Sequence, residues 1–459
     1  MMANSYLFRN FTSAGNRKTF TFSTWIKFSD ATSISTLFAT GADSENRLIF
    51  IRHDSGSGST LKVDGKTSTN QTIEVRTNRA FRDTSAWYHI VLRVDTTQST
   101  AADRVRIYVN GVQETSFAQS TYPSQNYDTE VNKTANHMVG RYSYSASNYL
   151  NGYMSHAAFV DGASLAPTEF GETDSTSGIW KFKPPSGITW GTNGFHLKFE
   201  NSSNLGLDSS SNTANWTAQG DLKQSLDTPS NSQCTLNPND VMRQSGGILN
   251  PIYSNGNLTM STDADTNTSA FGSLSPETGK WYWEFKVDVA NTTGHRLGIF
   301  FSNDKVHGGS YYYGTDGFVI HQNGQIYYNG SSTTYMASYT AGDIISVALD
   351  ITNGNIYMSK NGGASDNTWA DGNGNNNQAF PGTSINGKLS ASFPAAGTPI
   401  QPYFDVYGTN NKQSINFGDG FFGTTAITSA GSNGNGSLFE YDVPSGYYAL
   451  NTKNINTYG

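Results

Sequence analysis

Glu172 and Asp174 stand two apart in Glu172-Thr173-Asp174, so an extended chain would turn both carboxyl groups to one side. That is the raw material of glycoside hydrolysis, in which a retaining enzyme holds two carboxyl groups about 5 Å apart, one as acid and one as nucleophile. The segment around Glu172 and Asp174, through Ser177, is a Ser-rich turn. Two stretches carry the first three ligand positions of a calcium loop: Asp371-Gly-Asn373-Gly-Asn375 and Asp263-Ala-Asp265-Thr-Asn267. Neither has Gly at the sixth position or Glu at the twelfth. The expectation is no cofactor and no metal site, with calcium the one ion the spacing suggests. The eight histidines form no His-x-x-x-His pair and no His/Cys cluster. Cys234, the single cysteine, lies in a polar stretch without a neighbouring His and reads as inert. No Ser-His-Asp order and no P-loop is present, so the residues do not specify an enzyme.

Binding chemistry is better represented. A sugar site combines an aromatic face, on which C–H groups pack, with Asn, Asp and backbone amides that take the hydroxyls. Three segments have that mixture: residues 142–149 (YSYSASNY), 308–316 (GGSYYYGTD) and 366–377 (DNTWADGNGNNN). The candidate ligand-binding residues are Tyr142, Tyr144, Tyr311, Tyr312, Tyr313, Trp369, Asn373 and Asn375. Trp25, Trp281 and Trp283 lie within strand patterns and are assigned to the core.

The elements that would hold these loops are strands. In residues 341–363 (AGDIISVALDITNGNIYMSKNGG), Ile345, Val347 and Leu349 fall on one face of an extended run, with Ser346, Ala348 and Asp350 on the other. Asn353-Gly354 supplies the positive-φ residues of a turn, the chain returns, and Asn361-Gly362 ends the hairpin. Residues 87–111 repeat the plan with a longer connection: Ile90, Leu92 and Val94, then Val105, Ile107 and Val109, then Asn110-Gly111. Phe20, Phe22, Thr24, Ile26 and Phe28 alternate with Thr21, Ser23, Trp25 and Lys27. Trp281, Trp283, Phe285, Val287 and Val289 form the most strongly patterned strand. One short helical turn is predicted at Ala166-Pro167-Thr168-Glu169-Phe170.

The expected fold is all-β: two tandem antiparallel sandwiches, residues 1–240 with a trailing Ser/Asn-rich linker and residues 241–459 with a short tail. Only 14% of the 459 residues are charged, against 13% aromatic and 47 Gly. Few charges beside many β-formers and turn-formers argue for uncharged polar surfaces and against disorder. A net charge of −7 gives no electrostatic reason to expect nucleic acid or an anionic membrane as a partner, and no membrane insertion is expected. No apolar run reaches the length of a span, and residues 1–20 lack the apolar core of a signal peptide.

The segments FTFSTWIKFSD (20–30), WYHIVLRVD with RVRIYVNGV (87–112) and YLNGYMSHAAFVDG (149–162) resemble the concanavalin A-like, laminin G-like lectin fold. GKWYWEFKV (279–287), LGIFFS (297–302), GDIISVALDITNGNIYMSKNG (342–362), PYFDV (402–406), SINFG (414–418) and GYYAL (446–450) resemble the SPRY domain. The segments between these strands, such as ASLAPTEFGETDSTSGIW (163–180) and GTNGFHLKFENSSNLGLDSSSNTANW (191–216), resemble virion structural proteins of tailed, marine-type bacteriophages. The resemblance implies a non-enzymatic protein of the virion surface, made in the host cytoplasm. It would be a fibre or receptor-binding component, or a capsid decoration, with other virion proteins and a host-surface glycan as partners. A fibre further implies a homo-oligomer, a trimer being the expected form. Glucanases of the lectin fold set the alternative, but their Glu-x-Asp-x-x-Glu strand motif is missing here. A SPRY adaptor that binds peptides is the other.

Overall fold

A computed structural model describes residues 4–53, 58–240, 243–244, 247–248, 251–265, 267–292, 294–301, 306–307, 317–389, 393–395 and 397–459. The chain divides into two compact units, Met1–Ser230 and Asn231–Gly459, each an antiparallel sandwich with its own core.

In the first unit an eight-stranded sheet runs, edge to edge, Phe117–Thr121, Asn70–Ala80, Thr60–Thr67, Arg47–His53, Ser35–Gly41, Asn136–Val139, Tyr6–Asn10, Thr217–Gln219. Facing it is a six-stranded sheet of Phe195–Leu197, Gly152–Asp161, Thr19–Phe28, Tyr88–Asp95, Val105–Val109 and Val112–Gln113. Period-two alternation sends Phe20, Phe22, Phe38, Phe50, Leu92 and Phe159 into the space between them, all fully buried. Each such side chain contributes about 1.5–3 kcal/mol by leaving water. The predicted helical turn is a 3-10 turn at Pro167–Glu169.

The other face of Thr19–Phe28 departs from the simple alternation: Ser23, Trp25 and Lys27 are 2%, 3% and 1% exposed. The hairpin Gly171–Thr173 with Trp180–Phe182 lies over this face, and the segment at Asp227 joins it. Gly111 and Gly171 make room for the Trp180 indole, since a Cβ at either would sit 2.5 Å from the ring.

The second unit pairs Ile252–Ser254, Thr259–Ser261, Lys412–Asn416, Lys280–Val289, Ile344–Asp350, Asn355–Lys360, Trp369–Ala370 and Asn376–Gln378 in one sheet. The other sheet comprises Thr268–Phe271, Gln401–Val406, His295–Phe300, Gly317–His321, Gln325–Tyr328 and Ser331–Thr334. Trp281, Trp283, Phe285, Ile345, Val347 and Leu349 fill the interior, as their alternation predicts. The hairpin of Ile344–Asp350 with Asn355–Lys360 pairs Asp350 with Asn355, with Gly354 at φ +67 in its turn.

Two expectations change. Residues 202–230 pack into the first unit through Leu205, Trp216 and Asp227, and residues 231–240 pack into the second through Cys234 and Leu236, so no linker separates the units at residue 240. The tail is structural: Tyr448–Ala449 pairs in parallel with Lys280–Val289, and a helix, Thr452–Tyr458, follows, capped by the Asn451 side chain. The hairpin is buried on both faces. Phe439, Val443, Tyr447 and Ala449 cover Tyr282, Ala348 and Trp369 on its outer side.

Candidate functional site

The outer face of the eight-stranded sheet carries an apolar layer of Ala39, Ile49, Ile51 and Met138, with Tyr6 and Phe8 from the strand Tyr6–Asn10. These are the outward positions of strands whose alternate residues fill the core. Residues 140–150 fold back over this layer. The Leu150 amide donates to the Gly140 carbonyl (2.8 Å), and the Asn148 carbonyl accepts from the Thr36 amide (3.2 Å) and hydroxyl (2.7 Å). Asn148 sits at φ +53, a conformation that Asn tolerates better than most residues. The loop is therefore fixed to the strand Ser35–Gly41.

It presents Tyr142 and Tyr144, both half-buried, with ring centroids 5.5 Å apart and planes tilted by 30°. The Arg47 guanidinium lies 5.6 Å over the Tyr144 ring while bonding Asp64 at 3.1 Å. Arg141 lies 4.4 Å over Tyr6, and its Nε donates to the Tyr142 carbonyl at 2.9 Å. Burial, reinforced by Tyr144, pushes the Tyr142 hydroxyl up to about 12, so it remains a neutral donor and acceptor near pH 7. Half-open rings on a pinned loop, with hydroxyls of Ser145 and Ser147 beside them, can pack the C–H face of a sugar and bond its hydroxyls. The pairing of 142 with 144 was readable in the sequence. Arg141 and Tyr6 were missed. The signal was there in Tyr6-Leu7-Phe8, whose alternation puts two aromatics on one face.

The other candidate loops fare differently. Trp369 is fully buried, its Nε1 donating to the Gly363 carbonyl (3.0 Å) and its ring meeting Phe380 edge-on at 4.8 Å. It offers no face to a ligand; the covering segment around Phe439 makes it core. Asn373 and Asn375 are exposed, but Asp371 gathers their amides at 2.7 and 3.1 Å into a tight turn. The Lys388 ammonium donates to Asn373 Oδ1 at 3.3 Å, and Arg296 donates to Asn267 Oδ1 at 2.6 Å. Cationic side chains thus occupy oxygens that the two incomplete calcium loops would offer. Among the described residues no three His, Cys, Asp or Glu gather as metal ligands. Tyr311, Tyr312 and Tyr313 lie outside the described residues.

Tertiary structure also brings together a pair that sequence order conceals. Ser23 Oγ and His89 Nε2 are 2.9 Å apart, the geometry of a nucleophile and its base. The third position, however, is Trp180, whose Nε1–H donates to His89 Nδ1 at 2.9 Å. Indole nitrogen only donates, so Nδ1 must be the acceptor and the proton of the neutral imidazole sits on Nε2, pointing at Ser23. Burial holds this imidazole down to about 3, so it is neutral at pH 7. It is a donor to the serine and cannot take the serine's proton. Glu172 and Asp174 converge on Lys181 (3.4 and 3.0 Å) on an exposed turn. Hydrogen bonds from the Ser177 amide and Lys181 hold Asp174 well below the usual carboxylate range, which suits neither acid nor shared-proton chemistry.

The family model described as the concanavalin A-like lectin/glucanases superfamily matches residues 4–169, and the SPRY domain model matches residues 280–419. Among solved structures, the SPRY domain of human HERC1 is 19% identical, covering 39% of this chain and 96% of that one at TM-score 0.29. Stonustoxin is 14% identical, covering 40% and 27% at TM-score 0.27. Domain 4 of AbnA, a GH43 extracellular arabinanase from Geobacillus stearothermophilus in complex with arabinotriose, is 18% identical, covering 34% and 65% at TM-score 0.26. No curated protein matches this sequence. The chain carries a concanavalin A-like lectin/glucanase-superfamily domain followed by a SPRY domain.

Proposed function

We propose that this chain is a non-enzymatic contact protein on the outside of a tailed phage particle, a fibre or receptor-binding component or a capsid decoration. It holds a host-surface glycan at the Tyr142–Tyr144 surface. The observation that carries the reading is the half-open ring pair on a loop fixed to a rigid sheet. Binding there needs no cofactor. The Ser23–His89 tautomer and the placement of Glu172 and Asp174 on an exposed turn both speak for contact over catalysis. A surface of this kind binds weakly, and many copies on one particle, as a homo-oligomer docked on other virion proteins, convert weak contacts into firm attachment.

Two measurements test it. Labelled antibody against the chain, imaged on intact particles, should mark the exterior; label found only with host material sinks the virion assignment. A glycan array probed with the full chain should show binding that Tyr142→Ala reduces about tenfold, the worth of one aromatic contact. Release of sugar from any bound glycan would reverse the non-enzymatic assignment.

A further inference from the structure

Five of the eleven arginines of the first unit face a carboxylate. Arg17 faces Glu130, Arg47 faces Asp64, Arg52 faces Asp30, Arg79 faces Glu114 and Arg106 faces Asp103. Arg141 differs. Its Nε is fixed by the Tyr142 carbonyl and its guanidinium plane is held 4.4 Å over Tyr6, yet among the described residues its two terminal nitrogens bond no acceptor and face no carboxylate. The side chain is half-exposed, so those nitrogens need no protein partner and remain available. A guanidinium immobilised at Nε and by a ring, with its terminal edge open, is pre-organised to take a carboxylate in a two-bond fork. Little side-chain entropy remains to be lost on binding. The Tyr6 ring that carries the guanidinium belongs to the same apolar layer as Tyr142 and Tyr144.

We infer that Arg141 reads an anionic group, and that the ligand of the Tyr142–Tyr144 surface is an acidic sugar whose carboxylate sits on the Arg141 fork while its ring packs against the tyrosines. This rests on the reading of that surface as a glycan site and narrows it from sugars in general to uronate- or sialate-type residues.

The test uses the full chain with oligogalacturonate, its methyl ester and a sulfated oligosaccharide of the same length, measured by calorimetry or surface plasmon resonance. Oligogalacturonate should bind at least about tenfold more tightly than the ester, the worth of a charge-assisted pair. The advantage should shrink as salt is raised. Arg141→Met, which removes the guanidinium from Tyr6 and the donor to the Tyr142 carbonyl, should abolish the advantage of acid over ester. Arg141→Lys should restore only part of it. Equal binding of acid and ester, both reduced by Tyr142→Ala, would overturn the role of Arg141 and leave the glycan reading standing. Preference for the sulfated ligand would overturn the carboxylate assignment. Binding of none of the three, alongside neutral glycans that bind on an array, would overturn the acidic class; no glycan binding at all would remove both proposals. Unchanged melting of Arg141→Met separates loss of recognition from loss of fold.

Discussion

Lys27 and Asp227 meet at 2.8 Å with each side chain 1% exposed, and Trp87 Nε1 donates to the other carboxylate oxygen at 2.8 Å. Two charges so deep cost several kcal/mol each to desolvate, and their mutual contact, with the Trp87 donor and the Tyr153 ring beside the ammonium, offsets it. Asp227→Ala, which removes the carboxylate from the buried ammonium, is expected to destabilise the first unit by about 3–5 kcal/mol. The double change Lys27→Met with Asp227→Leu should recover most of that loss in urea denaturation; a double variant no more stable than the single would show that the pair does something other than neutralise itself. Glu284 poses the opposite case in the second unit. Its carboxylate accepts the amides of Glu440 and Tyr441, each at 2.9 Å, with Asn416 and Tyr282 also donating at 3.2 Å. Burial nevertheless outweighs these donors and pushes the group up to about 7. The fold then binds this proton more tightly than the unfolded chain does. The stability it contributes is full below about 4.5 and is lost as pH rises through about 7. Glu284→Gln should therefore flatten the second unit's stability between about pH 4.5 and pH 7. A variant with the unaltered pH profile would refute this assignment.

At the scale of elements, the cover of residues 163–190 is built from aromatics on imidazoles. Trp180 stacks on His89, Phe182 on His156 and Trp190 on His196, at 5.9, 3.7 and 5.8 Å. His156 reaches His196 at 3.4 Å from a bulge in Gly152–Asp161, where it holds φ +50. Burial lowers His89 and His156 to about 3 and His196 to about 4; Lys198 also disfavours charge on the latter two, and Asp208 partly opposes it at His196. The unfolded chain binds protons these sites refuse, so their stabilisation is present above about 6.5 and is lost as pH falls through 4 to 3. Amide exchange should rise at residues 171–182 before it rises at residues 19–28 as the solution is acidified. Simultaneous loss at both would mean the cover and sheet open as one. The cover could not be read beforehand. Glu172 to Phe182 has no strand-length alternation, and only the aromatic contacts made across the sheet give it a place.

For the molecule as a whole, the division at Ser230 has a direct consequence. Cys234 and Leu236 are fully buried in the second core, and the Cys234 amide donates to the Leu450 carbonyl at 3.0 Å. A fragment of residues 231–459 should fold cooperatively, whereas one of residues 241–459 should lose about 2–5 kcal/mol through the cavity left by Leu236 alone. Equal melting temperatures for the two fragments would show the segment to be dispensable.

Which residues alternate, and hence that two sandwiches form with Phe22, Leu92, Trp283 and Val347 inside, was determined by local pattern. Side-chain period two is a property of the extended chain itself and needs no knowledge of partners. The turns at Asn353-Gly354 and Asn110-Gly111 were equally legible, because positive φ is a local demand. Whether the second face of a strand meets water or protein is not local. Trp369, Lys27, Glu284 and the hairpin around Val347 all depended on segments distant in the chain that cover them, residues 439–449 in one unit and 163–230 in the other. The same holds for Ser23 and His89, which strand pairing brings together, and for Arg141, whose guanidinium Tyr6 carries while, among the described residues, no carboxylate meets it.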